Sequence, residues 1–198
     1  MARTQAADYD QRRQAIVEQA AKLYAAHGFL GASVVDLAKA CDMSKSLIYH
    51  YYASKEDILF DAMDSHIQTL TKAAETVLAA GGDAEHRLRG VARALMTLYA
   101  GAAARHKVLL NELDNLPQDQ RTIIIEHQRN LVRIIENLVL EIRPDLTRRK
   151  NILRPITMLF FGMINWTHTW FDPSGPAPAA TVADLAVDVL LNGVKSLA

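Results

Sequence analysis

Three serines, Ser33, Ser44 and Ser54, each stand directly ahead of a run with helical period, and they cut the N-terminal part of the chain into short helices. Helices of that length are not stable alone in water and must pack against one another. In Ser33-Val-Val-Asp36 and Ser54-Lys-Glu-Asp57 an acid follows its serine at the spacing of a capping box, so each pair can satisfy the free N–H groups of a helix start. Upstream, Ile16, Ala20, Leu23 and Tyr24 form one apolar stripe on a helix expected from Asp10 to His27, which Gly28 ends with a left-handed cap. The spacing predicts further helices over 34–41 and 45–51, with Asp42 and Met43 in the turn between them, and a long one over 55–80 that Gly81-Gly82-Asp83 breaks.

Helical period then continues, with helices expected over 84–104, 105–115, 118–142, 146–171 and 181–196. Leu116-Pro117, Arg143-Pro144-Asp145 and the Pro/Gly-rich stretch 172–178 punctuate them, and no run alternates as a half-buried strand would. The fold class is all-α. Half of the residues are apolar (50%), enough for a sizeable core without disulfides, and the single cysteine, Cys41, fits a small buried position in a reducing cytoplasm. The N-terminus has no apolar leader-like run, and the longest apolar stretch, 152–171, is interrupted by Arg154, Pro155, Asn165 and His168, so no membrane partner is expected.

A formal net charge of +0 argues at first against nucleic acid as a partner. Within residues 1–55, however, Arg3, Arg12, Arg13, Lys22, Lys39, Lys45 and Lys55 outnumber Asp8, Asp10, Glu18, Asp36 and Asp42, and from Met43 through Lys55 there is no acid at all. On the helix expected over 45–51, Ile48 and Tyr52 are four apart and face the core, which leaves Lys45, Ser46, Tyr49 and His50 outside. That face suits a DNA groove. Lys45 and Ser46 can bond base edges or phosphates, Leu47 at the boundary can meet a thymine methyl, and Tyr49 and Tyr51 can donate to phosphates. Ser33, Ser54 and Lys55 sit at helix starts, where free N–H groups favour a phosphate, and the capping Ser44 joins the expected DNA contacts. The layout is that of a helix-turn-helix whose second helix enters the major groove.

Over Gly28 to Leu59 the sequence resembles the signature of the TetR family of one-component transcription regulators, with Ser44 to Tyr52 and Ser54-Lys55-Glu56 matching nearly position for position. The family often has glycine where this chain has Asp42, and a small residue at Ser46. Asp tolerates a left-handed turn conformation, so the turn survives; the operator sequence does not carry over. The resemblance implies a helix-turn-helix domain over 1–55 and an effector-binding and dimerisation domain over 56–198. It implies a cytoplasmic homodimer that represses transcription from a palindromic operator and is released by a small molecule.

For the dimer interface the candidates are Phe160, Gly162, Met163, Trp166 and Trp170, with Val182, Leu185, Val189, Leu190 and Gly193 on the last helix, a stripe that Ala186 and Val194 extend. Effector candidates between the middle helices are Tyr99, Leu109, Leu113, Ile124, His127, Met158, Phe161 and Asn165. The run Phe160 to Pro176 resembles a subgroup in which several members respond to coenzyme A thioesters of fatty-acid, aromatic-acid or steroid catabolism. Arg105, Arg129, Arg133, Arg148, Arg149, Lys150 and Arg154 could meet the phosphates of such a ligand. The alternatives are a drug-responsive regulator of efflux and, in another class, a helical ligand carrier or interaction module that never touches DNA. No nucleophile elbow, phosphate loop or dinucleotide fingerprint occurs, and the seven histidines lack metal-ligand spacing, so neither an enzyme nor a cofactor or metal is expected.

Overall fold

The computed structural model describes residues 2–195, and no strand occurs among them. The α-helices run α1 (Ala2–Gly31), α2 (Val34–Ala40), α3 (Lys45–Tyr51), α4 (Lys55–Ala79), α5 (Ala84–Gly101), α6 (Ala103–Asn111), α7 (Gln118–Ile142), α8 (Lys150–Asn165) and α9 (Ala179–Lys195). The side chains of Lys150 and Val194, and the expected helix end at Ser196, lie outside the described residues. The chain divides into two compact units, one of Met1–Ile67 with Ala104–Ile125, the other of Gln68–Ala103 with Glu126–Ala198.

In the first unit the three serine caps are made, while α1 begins at Ala2 rather than Asp10 and Gly28 departs from the expected left-handed cap. Gly28 has φ 73° and ψ 160°, a conformation closed to side-chain-bearing residues, and the chain kinks there. The Ser33 hydroxyl accepts from Asp36 N–H at 3.1 Å while Asp36 accepts from Ser33 N–H at 3.3 Å, a complete capping box. Asp42 takes the left-handed position of the turn, φ 53°. Ser44 caps α3 by accepting from Leu47 N–H at 3.1 Å, and Ser54 accepts from Asp57 N–H at 3.0 Å. Ile16, Ala20, Tyr24, Leu37, Ile48, Leu59 and Met63 are buried, and so are Val108, Leu109 and Ile124 of the later segment. Each isoleucine, leucine, valine or methionine among them contributes about 1.5–3 kcal/mol on burial.

Segment 104–125 belongs to this unit through specific bonds as well. Arg105 pairs with Glu18 at 2.9 Å, and the Gln120 amide donates to Asp57 at 2.7 Å. The expected boundary at 55/56 therefore falls inside a compact unit: α4 begins there as part of the first core, and a stretch far along the sequence completes that core.

In the second unit α9 packs against α5 and α8. Arg89 meets Asp188 at 2.6 Å, and Arg93 grips both oxygens of Asp184 at 2.8 Å each. The helix expected over 146–171 is shorter. A 3-10 turn over Pro144–Arg148 precedes α8, and another over Trp166–Thr169 follows it. Local side chains cause that ending: the Thr167 hydroxyl donates to the Ile164 carbonyl, the His168 ring meets the Asn165 carbonyl at 2.7 Å, and the Thr169 hydroxyl donates to the Trp166 carbonyl at 2.8 Å. Side chains that take helix carbonyls this way compete with the regular ladder.

Candidate nucleic-acid interface

α3 is anchored from below and bare above. Ile48 is 0% exposed and Tyr52, its C-cap, is buried, whereas Lys45, Ser46, Tyr49 and His50 are exposed together and no acid stands in the helix. Leu47 and Tyr51 are half-buried on the flanks. The Lys45 ammonium lies 5.9 Å from the Tyr49 ring centroid, and Ser46 shares a 2.9 Å hydrogen bond with Ser44. A cation and several hydroxyls on one open helix face, with no carboxylate of that helix among them, form a surface for phosphates and base edges.

Two residues expected to contact phosphate carry bonds within the chain. The Ser33 hydroxyl is committed to its cap, donating to Asp36 Oδ2 at 2.6 Å, and its hydrogen bonds hold the Asp36 carboxyl below the usual carboxylate range. That ionised group sits at the helix start and opposes a phosphate there. Lys55 turns inward: its ammonium donates to the Phe29 carbonyl and lies 4.0 Å from the Phe29 ring centroid. Burial lowers its pKa, and its role is to tie the end of α1 to the start of α4.

The second unit exposes a different kind of surface. On α8, Met158 and Leu159 are exposed, with half-buried Met163 beside them, and Trp166 is exposed at the start of the 3-10 turn that follows; Leu159 and Trp166 reach 69% and 65%. With Pro155 and Gly162 these residues line an apolar groove of about 630 Å³. On α9, Leu185 and Val189 are exposed at 59% and 62%, with half-buried Val182 and open Gly193 on the same face. A Cβ added at Gly162 or Gly193 would meet nothing within 4 Å. Phe160 (0% exposed) and Leu190 (6%) are corrected to the subunit's own core. Both helices carry apolar residues on more than one side, and these two residues fall on the inward one. Trp170 is exposed but lies beyond α8, after the 3-10 turn.

The effector candidates are not brought together in one unit. Leu109, Leu113 and Ile124 belong to the first unit, while Tyr99, His127, Met158, Phe161 and Asn165 belong to the second. Met158 is corrected to the outer groove, where it is 49% exposed. Tyr99 and Phe161 are buried, and the Asn165 Oδ1 is buried without a hydrogen-bond partner. Arg105 belongs to the first unit, where Glu18 pairs with its largely buried side chain, and not to the unit that carries Arg129, Arg133 and Arg154.

Comparison with known proteins bears on this arrangement. Residues 16–62 match the family model described as bacterial regulatory proteins, tetR family, and residues 81–194 match that of the tetracyclin repressor-like C-terminal domain. The chain belongs to the TetR family. A solved TetR-family transcriptional regulator from Bordetella parapertussis 12822 is 36% identical, with a TM-score of 0.89 over 94% of this chain and 97% of that one. AibR, solved in complex with isovaleryl coenzyme A and operator DNA, is 26% identical with a TM-score of 0.77, covering 90% and 97% of the two chains. The HTH-type transcriptional repressor KstR2 of Rhodococcus jostii (strain RHA1) is 24% identical over 93% of this chain and 92% of its own. As a TetR-family member the chain is a helix-turn-helix transcriptional repressor and not an enzyme. Among the described residues, no helix is long and apolar enough to cross a membrane.

In this TetR-family chain the sequence reading missed the brace beneath α3. Arg13 donates to the Tyr52 hydroxyl at 3.2 Å and to Asp61 at 3.0 Å, and Tyr52 donates to Asp61 in turn. Its hydrogen bond to Tyr52, with Asp61 adding to it, raises the Arg13 pKa above the usual guanidinium value.

Proposed function

We propose that this chain is a homodimeric repressor that holds a palindromic operator through α3 and leaves it when a coenzyme A thioester occupies the effector domain. The single observation that carries the reading is the α3 face, with Lys45, Ser46, Tyr49 and His50 open to solvent over a buried Ile48. Leu47 and Tyr51 flank this face, and the operator DNA lies in the cytoplasm, where the protein acts.

Dimerisation is supported by the apolar faces of α8 and α9. Leu159, Met163, Trp166, Leu185 and Val189 project away from the subunit core, and contiguous exposed apolar surface of this kind marks a protein contact. A two-fold axis would pair the face with itself. It would also set two copies of α3 about one DNA turn, ~34 Å, apart, which calls for a palindrome. The thioester is supported by the likeness to AibR, whose structure holds isovaleryl coenzyme A. Arg129 and Arg133 on α7 and Arg154 on α8 supply cations for phosphates, each now paired with a glutamate. Release requires that the ligand favour one of two conformations, since a ligand indifferent to both shifts nothing.

The test is in vitro selection of duplex DNA by the purified protein, followed by titration with isovaleryl coenzyme A and longer acyl thioesters. The reading expects an enriched palindrome, binding that weakens steeply with salt, loss of affinity in Tyr49→Ala, and release by a thioester. Release by hydrophobic drugs alone would move the chain to the efflux regulators. Failure to enrich any duplex would make it a carrier without DNA.

A further inference from the structure

α3 is short, and little of it is buried: Ile48 is the helix's one buried side chain. Its last turn is therefore held from outside, by two consecutive tyrosines that meet one face of α1. Arg13 grips Tyr52, with its guanidinium 5.3 Å from the ring centroid and its Nε bonded to the hydroxyl. One turn earlier on the same face, the Tyr9 ring lies 4.8 Å from the Tyr51 ring centroid at 34°. Tyr51 in turn meets the His50 ring edge-on, at 5.5 Å and 86°. Tyr9 is 38% exposed, so its ring is far from a core residue.

We propose that Tyr9 is a positioning residue for operator recognition: its ring stacks on Tyr51 and fixes the end of the reading face that Tyr51 and His50 present. The proposal rests on α3 being the DNA-reading helix. Both ring contacts lie within the distances at which aromatic pairs attract beyond simple burial. The Arg13–Tyr52 contact fixes the backbone at the helix end, and the stack fixes the side chain beside it. Without Tyr9 the Tyr51 ring regains rotamer freedom, which binding must then remove. The hydroxyl of Tyr9 is not part of the argument, because the stack is made by the ring.

The experiment uses the full chain and the duplex enriched by in vitro selection. Tyr9→Ala is expected to weaken operator binding about three- to ten-fold, with the melting temperature little changed because the side chain is partly exposed. Tyr9→Phe is expected to bind within about two-fold of the parent, restoring the stack. In a Tyr51→Ala background, Tyr9→Ala should have no further effect. Unchanged binding by Tyr9→Ala overturns the proposal, as does equal loss in Tyr9→Phe, which would make the hydroxyl the contact. If Tyr49→Ala also binds like the parent, α3 is not the reading helix, and the proposed function fails first. If no duplex is enriched, both fall together.

Discussion

Acid should destabilise the first unit through one imidazole. His66 on α4 is 3% exposed, with its Nε2 3.4 Å from the Nδ1 of His106 on α6. Burial, with the Arg105 guanidinium adding to it, lowers the His66 pKa from 6.5 to about 4. Between those two values the unfolded chain binds a proton that the folded chain refuses, so unfolding free energy rises with pH across that window. The contribution is fully present above pH 6.5, shrinks as pH falls, and is gone below about pH 4. At ~1.4 kcal/mol per pH unit it amounts to roughly 3 kcal/mol, a large share of the 5–15 kcal/mol typical of a folded protein.

The assay is urea unfolding followed by circular dichroism from pH 7.5 to 4.5, for the parent and His66→Gln at one fixed protein concentration, because the stability of the proposed dimer would depend on concentration. Carboxylates titrate in both proteins, so the difference between the two curves isolates His66. That difference should be flat above about pH 7 and change by ~1 kcal/mol per pH unit below 6, with the parent losing more. Imidazole resonances of the folded parent should place the His66 midpoint near 4. Parallel curves, or a His66 midpoint at an ordinary value, would refute the reasoning.

Four further outcomes follow from particular contacts. Tyr24→Phe should leave stability unchanged or raise it by about 1 kcal/mol, since the Tyr24 hydroxyl is buried with no hydrogen-bond partner; chemical denaturation measures it, and a clear loss would mean the hydroxyl is bonded in solution. Gly90→Ala should cost roughly 1 kcal/mol: an added Cβ would stand 2.7 Å from Val77 Cγ1, and overpacking against a stiff branched side chain exceeds the gain in helix propensity. Ser33→Ala should cost ~1 kcal/mol by removing the capping box of α2, read as a shift in the urea midpoint. Leu185→Glu with Val189→Glu should turn the proposed dimer into a folded monomer in sedimentation, with helical content retained and operator affinity lost; an unchanged dimer would move the interface elsewhere.

The local signals in the sequence were read well because each is satisfied within a few residues. A capping serine, an acid three positions on or a glycine at positive φ needs no knowledge of the rest of the chain, and Ser33, Ser44, Ser54, Gly28 and Asp42 all stand as their types require. The outward face of α3 was legible for the same reason: Ile48 and Tyr52 fix the helix phase, and what lies opposite is exposed. Lys55 shows where that reasoning stops. Its place at a helix start allowed a phosphate contact, but a carbonyl freed by the kink at Gly28 was nearer, and only the folded chain brings Phe29 to it.

Long-range placement was hidden for a related reason. Nothing in the sequence of α6 says that Val108 and Leu109 join the core beneath the helix-turn-helix, or that Gln120 reaches Asp57, because an apolar stripe records that a face is buried and not against what. On α8 and α9 the ambiguity doubles. Phe160 and Leu159 are neighbours of similar hydrophobicity, yet one is 0% exposed and the other 69%. A helix with apolar residues on two sides has two surfaces to hide. The subunit's own core takes Phe160, Ile164, Val187 and Leu191, and the remaining side, with Leu159, Trp166, Leu185 and Val189, stays in water until something covers it. Seen as a pattern alone, those two sets merge into one broad stripe, which is why Phe160 and Leu190 were expected at the interface. The burial that separates them also isolates the side that the proposed second copy would cover.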